Sequence, residues 1–187
     1  MVIQHTVISF EQLVQDFDSL FRHRVFRLET LDWYDAPNER EHYARFLAGQ
    51  AVDPAWREPW KRLVRDVRAS GRTMERVHVV TEPVSDYIRF ELLHVYPANV
   101  KAGENVDILG RVQAGGLVTA SDFWLFDGRL AAVLIYDDAG IVERVEISDD
   151  PWFLASLRGI RYEAVRLATP LTQYVAEHNI TEREHAA

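Results

Sequence analysis

Three pairs of residues, Glu39-x-x-His42, Glu91-x-x-His94 and Glu182-x-x-His185, have the i, i+3 spacing with which a helix presents a carboxylate and an imidazole to a di-iron centre. That chemistry needs two such pairs and two further carboxylates facing one another across a helical bundle. The first pair lies in a short, very polar segment and the third in the terminal tail. The strand signals described below contradict a bundle, so no metal ligand is expected. Nucleophilic chemistry has as little support: Gly-x-Ser-x-Gly is absent, and Ser85, Ser121 and Ser148 stand where helix or loop caps are needed. Gly115-Gly116 lacks the lysine and the hydroxyl residue of a phosphate loop. The reading is therefore of a chain with no catalytic residue and no cofactor. The candidate binding residues are Tyr87, Arg89 and Glu91 on one predicted helix, with Asp122, Trp124 and Asp127 on a predicted strand and its turn. Arg89 with Tyr87, Asp122 and Trp124 would line the concave side of a sheet and hold a small anionic ligand or a partner segment. Arginine supplies a bidentate fork and the aromatics rigid contact area. A solvated helix face, with Asp86 and Arg89 paired at i, i+3, accounts for the same helix residues. Trp33 and Tyr34, between Asp32 and Asp35, are read either as core filling or as an exposed anchor, whereas Phe26 and Leu28 are read as core.

The clearest structural statement lies between Asp122 and Ile147. Asp127-Gly128 separates two apolar runs, and Asp-Gly suits the two positive φ values of a type I′ hairpin turn. A second turn at Asp137 to Gly140 returns the chain, so the segment predicts a three-stranded antiparallel meander. Its middle run, Leu130 to Tyr136, is apolar at both parities, as a strand covered on both faces must be. Upstream, Arg76 to Val80, a helix over Val84 to Tyr96 and a strand at Val106 to Leu109 form a β-α-β unit, predicted to be parallel and right-handed. Pro97 is expected to kink or end that helix, and Gln113 to Ala120 is expected to be a mobile loop.

The first part reads as helical. Ser9 and Gln12 form a capping box ahead of an apolar stripe of Phe10, Leu13, Val14, Phe17, Leu20 and Phe21. The stretch VFRLETLDWYDAP reads as an extended connector docked on the core. A short helix runs to Ala48 with Gly49 as its C′ residue, and Asp53-Pro54 opens a further helical region that stops at Ser70-Gly71. At the other end, Asp149-Asp150-Pro151 caps helix interrupted at Gly159 and restarted at Thr169-Pro170, and the tail ITEREHAA reads as frayed. The expected organisation is an N-terminal helical layer over residues 1–71 and an α/β core over 72–187, sharing one interior.

The 187 residues are 48% hydrophobic, which suits a packed core, and carry a formal net charge of −8. That balance argues against direct nucleic-acid binding, whose affinity comes from neutralised phosphates. The absence of cysteine removes disulfides, thiolate metal sites and cysteine nucleophiles together and suits a reducing cytoplasm. No signal peptide and no apolar run of spanning length is visible, so no membrane partner is expected.

Three ordered blocks, FRLETLDWYDAPNEREHYARFLAG, RVHVVTEPVSDYIRFELLHVYPANVKAGENVDIL and DFWLFDGRLAAVLIYDDAG, resemble a bacterial family of uncharacterised proteins often encoded beside helix-turn-helix regulators. More distantly, the β-α-β unit followed by a meander resembles the phospholipase-D-like fold, whose meander carries a His-x-Lys-x4-Asp motif. In those enzymes the His is the phosphoryl nucleophile and the Lys holds phosphate oxygens. Asp127 matches the Asp of that motif, but Ala120 stands at the His position and Asp122 at the Lys position. None of the seven histidines is followed two residues later by lysine. The resemblance implies a degenerate copy in which a phosphate-binding cation has become an anion. The expectation is an α/β protein with a mixed sheet and an N-terminal helical layer, acting as a non-catalytic regulatory or partner-binding protein. The partners this reading admits are a helix-turn-helix regulator, a small anionic ligand and a second copy of the chain in a homodimer. The rival readings are a phosphodiester hydrolase working near Asp122 and Asp127, and a small-ligand sensor.

Overall fold

In the computed structural model, which describes residues 6–119 and 121–182, the chain builds one mixed sheet of eight strands. These are β1 (Thr6–Ile8), β2 (Arg24–Glu29), β3 (Thr73–Val80), β4 (Asn105–Gly110), β5 (Phe123–Phe126), β6 (Leu130–Tyr136), β7 (Val142–Ser148) and β8 (Thr169–Pro170). Their spatial order is β1-β7-β6-β5-β2-β3-β4-β8. β2, β3 and β4 are parallel and every other pairing is antiparallel. The expected meander is β5-β6-β7, and the expected parallel β-α-β unit is β3 and β4 with the helix between them. At the Asp-Gly turn, Asp127 has φ 50° and Gly128 φ 68°, the two positive values a type I′ hairpin needs.

Three strands have no counterpart in the sequence reading: the short edge strands β1 and β8, and one at the centre of the sheet. The segment read as a connector forms β2, in the middle of the sheet between β5 and β3, so residues 1–71 contribute a central strand and not only a helical layer. Its alternation explains the misreading. Val25, Arg27 and Glu29 point to one face, Phe26 and Leu28 to the other, and charged residues at two successive positions of the first face break the apolar pattern expected of a buried strand.

The helices flank the sheet. α1 (Phe10–Asp16) and α3 (Glu58–Ala69) supply Leu13, Val64 and Val67 to one cluster, with Val25, Met74, Trp124, Phe126, Ala132, Leu134 and Val145 from the strands. α7 (Pro151–Leu167) covers the opposite parity, Phe26, Leu28, Val77, Phe123 and Leu125, with Leu154, Leu157 and Ala164. A third cluster joins Phe46 of α2 (Arg40–Leu47), Leu171 and Tyr174 of α8 (Leu171–Glu177), Val106 and Ile108 of β4, and the helix that follows β3. No helix among the described residues is long and apolar enough to cross a membrane.

Several local expectations meet specific geometry. Ser9 accepts from the amide of Gln12, but the Gln12 side chain turns to Asp16, so only half of the capping box forms. Phe10 and Val14 are exposed, and the apolar stripe narrows to Leu13, Phe17 and Phe21. Pro97 does not end its helix. The chain passes from α4 (Asp86–Phe90) through a π-helical turn (Glu91–Val95) into α5 (Tyr96–Ala102), where the Tyr96 amide reaches back to the Glu91 carbonyl. The extra residue in the turn moves the carbonyl with which the proline ring would clash, and the helix survives. Gly159 does not interrupt α7. It lies mid-helix with open space where a Cβ would be. The expected loop at Gln113 is helical, α6 (Arg111–Ala114) followed by a 3₁₀ turn over Gly115–Thr119, and Ala120 lies outside the described residues. The start of the tail is tied down: the Ile180 amide donates to Val175, and Thr181 and Glu182 contact Arg89 and His94.

Candidate functional site

A band of polar side chains crosses the face of the sheet that lies under the helix Asp86–Ala102. It follows from the alternation of two adjacent strands: β2 places Arg27 and Glu29 there, and β3 places Arg76 and His78. Of these, Glu29, Arg76 and His78 are buried. Glu29 is the hub. Arg27 Nη2 donates to its Oε1 at 2.8 Å and Arg76 Nη1 to its Oε2 at 2.8 Å. Burial alone would push the Glu29 carboxyl up, but the Arg27 and Arg76 guanidinium groups hold it down to about 2. Arg76 reaches the other way with Nε, 2.8 Å from Glu104 Oε1, and Glu104 also accepts from Trp60 Nε1 at 3.1 Å. Each guanidinium nitrogen engaged here faces a carboxylate, which is what makes a buried charge tolerable.

His78 is oriented from both sides. Its Nε2 lies 2.8 Å from the Leu31 carbonyl, which can only accept, so that nitrogen carries the proton. Nδ1 then accepts from Tyr96 Oη at 2.6 Å. Burial lowers the His78 pKa, in keeping with a neutral ring. The same phenol lies 3.2 Å from Glu29 Oε2 and is hydrogen-bonded to Glu91. Three acceptors thus meet one phenolic proton. Burial, with the charges of Glu39 and Glu29 nearby, pushes Glu91 up to about 8, and a protonated Glu91 becomes a donor, which relieves that count. On its other side, Tyr87 Oη donates to Glu39 Oε2 at 2.8 Å and lies 3.5 Å from Glu91 Oε1. Arg57 completes the band, with Nη2 on Asn99 Oδ1 at 3.0 Å and Nη1 3.5 Å from Glu39.

Glu29, His78 and Glu91 each bring one possible ligand atom within 4.8 Å of the others. The donor set does not suit a cation: both oxygens of Glu29 are held by guanidinium groups, and both nitrogens of His78 are committed. The Glu-x-x-His pairs of the sequence do not act as pairs. His94 turns away from Glu91 to Glu182, 3.0 Å from its Oε1, because the π turn that carries both residues rotates them apart. His42 stacks on Trp56 while Glu39 faces Arg57 and Tyr87. His185 lies outside the described residues.

The six candidate binding residues do not form one surface. Tyr87, Glu91, Asp122 and Trp124 are buried, so the concave ligand face expected of them is interior. Arg89, on the same helix, is half-buried and donates to the Thr181 carbonyl at 2.9 Å. Trp124 packs against Phe17 and Trp60 with the Arg27 guanidinium 5.1 Å from its ring. Asp122 accepts four hydrogen bonds: from the Thr30 amide and hydroxyl at 2.8 Å each, from Tyr34 Oη at 2.5 Å and from Tyr136 Oη at 3.2 Å. Burial raises its pKa, and the bonds from Tyr34 and Thr30 oppose that rise. Tyr34 is therefore core, whereas Trp33 is 42% exposed and donates to Ala139 O. Gly140, at φ 84°, makes room for it, since a Cβ there would lie 3.1 Å from the Trp33 ring.

Asp127 sits at the far end of β5 and is a clamp. Its carboxylate accepts from the amides of Arg22, His23 and Arg24 at 2.7, 2.9 and 2.8 Å, and these bonds hold its pKa down to about 2 against the effect of burial. It thereby ties the entry of β2 to the β5-β6 hairpin. Asp127→Ala, which strands three amides, is expected to cost about 1–3 kcal/mol in urea denaturation. Asp127→Asn, which keeps an acceptor and tolerates positive φ, is expected to lose less. A change of only a few tenths for Asp127→Ala would remove this role.

Compared with solved structures, the chain is similar to a phospholipase D family member, Nuc, from Salmonella typhimurium, with TM-score 0.51 and 9% identity over 89% of this chain and 98% of that one. Likeness at this identity concerns the fold alone, and the fold is phospholipase-D-like. The chain belongs to the family described as domain of unknown function DUF6879, which matches residues 10–176. No curated protein matches the sequence.

Proposed function

We propose that this chain is a non-catalytic, partner-binding protein on a phospholipase-D-like scaffold, acting with a helix-turn-helix transcriptional regulator. The observation that supports this reading is the state of Asp122. It stands where the resembling enzymes place a phosphate-binding lysine, and it is a buried carboxylate whose oxygens are occupied by Thr30, Tyr34 and Tyr136. A phosphodiester entering there would meet an anion and would have to break four hydrogen bonds. The polar band beneath the helix serves cohesion, because its charges are mutually compensated. The net charge of −8 supports leaving the DNA contact to the partner.

The test is direct. Purified protein is expected to show no turnover of bis(p-nitrophenyl) phosphate, only weak and salt-sensitive binding to random duplex DNA, and specific capture of a helix-turn-helix regulator from native cells. Robust hydrolysis abolished by Asp122→Asn, in a variant that retains its circular dichroism spectrum, would overturn the non-catalytic reading. Failure to capture the regulator from native cells would overturn the partner.

A further inference from the structure

A groove of about 290 Å³ opens at the β4 edge of the sheet. β8 pairs with β4 only at Asp107 and Ile108, through Pro170 and Thr169. The first two residues of β4, Asn105 and Val106, pair with β3 on one side and have no strand partner on the other among the described residues. The groove runs along this open edge. Val106 and Leu171 are buried at its floor, and Val100 and Val165 stand 37% and 39% exposed at its rim.

The charges around it are unequal in their commitments. Glu75 is held by Arg24 at 3.0 Å and by Arg161 at 2.5 Å, and Glu104 is held by Arg76. Asp107, half-buried in the same wall, has no cationic or hydrogen-bonding side chain facing it among the described residues. Burial and the neighbouring Glu75 push its pKa up. A carboxylate in this position is stabilised by an incoming cation. The size of the groove bears on what that cation is attached to. The groove, about 290 Å³, lies at the lower end of small-molecule sites, roughly 300–1,000 Å³, and has room for one long side chain. An open strand edge beside it offers main-chain hydrogen bonds to an extended peptide, the arrangement in which backbone pairing gives affinity and a side-chain pocket gives selectivity.

We infer that this groove receives an extended segment of a partner protein, which adds as a strand beside Asn105 and Val106 and places an arginine or lysine against Asp107 with its aliphatic stem over Val165 on the same face of the sheet. The inference rests on the partner-binding reading above and names the surface and the chemistry of the partner. A basic segment is complementary to an acidic chain, and the stem of a long cationic side chain covers apolar surface while its head meets the carboxylate.

The probe is the blocked peptide acetyl-Thr-Val-Arg-Val-Thr-amide, with leucine in place of arginine as its control, followed by backbone amide NMR of the full chain. The arginine peptide is expected to shift the amides of Asn105 to Asp107 and to bind about tenfold more weakly to Asp107→Asn or in ~0.5 M salt. The leucine peptide is expected to bind at the weaker level throughout. Asp107 has no side-chain partner to lose, so the variant should retain its melting curve. Equal binding of both peptides, shifts elsewhere in the chain, or an Asp107→Asn variant that binds as well as the parent would overturn the inference. Blocked arginine alone binding as tightly as the peptide would overturn the strand addition. Capture of the regulator separates the two levels: if Asp107→Asn still captures it, the groove assignment fails and the partner reading stands. If the parent binds the peptide but captures no regulator, the reverse holds.

Discussion

Arg76→Ala is expected to cost about 3–5 kcal/mol. The guanidinium lies between two buried carboxylates, Glu29 and Glu104, at 2.8 Å from each. Its removal leaves both inside the protein with one cation fewer, and Glu29 keeps only Arg27. Set against the roughly 5–15 kcal/mol of total stability typical of a domain, a loss of that size removes a large share of the margin. Arg76→Lys keeps the charge but not the fork that spans the two acids, so it is expected to recover part of the loss. Urea denaturation of the three proteins measures both effects. A loss below about 1 kcal/mol for Arg76→Ala would mean that the two carboxylates are not held by this charge.

Glu91→Gln is expected to stabilise the protein at pH 8 and to make little difference at pH 4.5. The native carboxyl titrates at about 8, far above the ordinary value of 4.5, because burial and the charges of Glu39 and Glu29 disfavour its ionised form. Between those two values the native chain keeps a proton that the unfolded chain releases, so stability falls as pH rises from 4.5 to 8. Glutamine has the shape of the protonated acid and no charge to bury, which removes the penalty. One pKa unit corresponds to about 1.4 kcal/mol, which places the gain at pH 8 on the order of a few kcal/mol. Glu29 and Asp127 act in the opposite sense. Both are held down to about 2, so their contributions are present above the ordinary carboxylate range and are lost as pH falls toward 2. The stability of the parent protein should therefore peak in mildly acid solution. Denaturation midpoints of parent and variant from pH 4.5 to 8 provide the check, and a difference independent of pH would refute the buried proton.

The meander was legible because its signals are local. Asp127-Gly128 demands a turn whatever surrounds it, and the double apolar parity of Leu130 to Tyr136 describes a strand covered on both sides. β2 was not legible, because Arg27 and Glu29 look like surface residues until β3 is laid beside them. Arg76 and His78 repeat the alternation on that neighbour, and only the pairing of the two strands shows that the four side chains face one another. A comparison of parity between the two segments, each with charged residues two apart inside an apolar run, is the signal that would have found the band. Arg89 and Tyr87 illustrate the opposite error. Their proximity in sequence suggested a shared surface, but a helix turns adjacent residues to different sides, one toward Glu39 and the other toward Thr181.

By itself, the sequence determined the elements that depend on short-range stereochemistry: the hairpin turn, the helix caps at Ser9, Asp53 and Asp150, and the glycine stops at Gly49 and Gly71. It also determined what the chain lacks, a His-x-Lys pair and any cysteine. The tertiary structure alone decided which polar residues are interior. Asp122 and Glu91 are ordinary acids in the sequence. Three aromatic or hydroxyl side chains from other segments enclose the first, and the second opens a π turn, between Tyr87 and Tyr96. Whether a carboxylate binds a ligand or holds the fold together depends on how much water and how many donors surround it, and those are set by contacts between residues as far apart in the chain as Thr30 and Asp122.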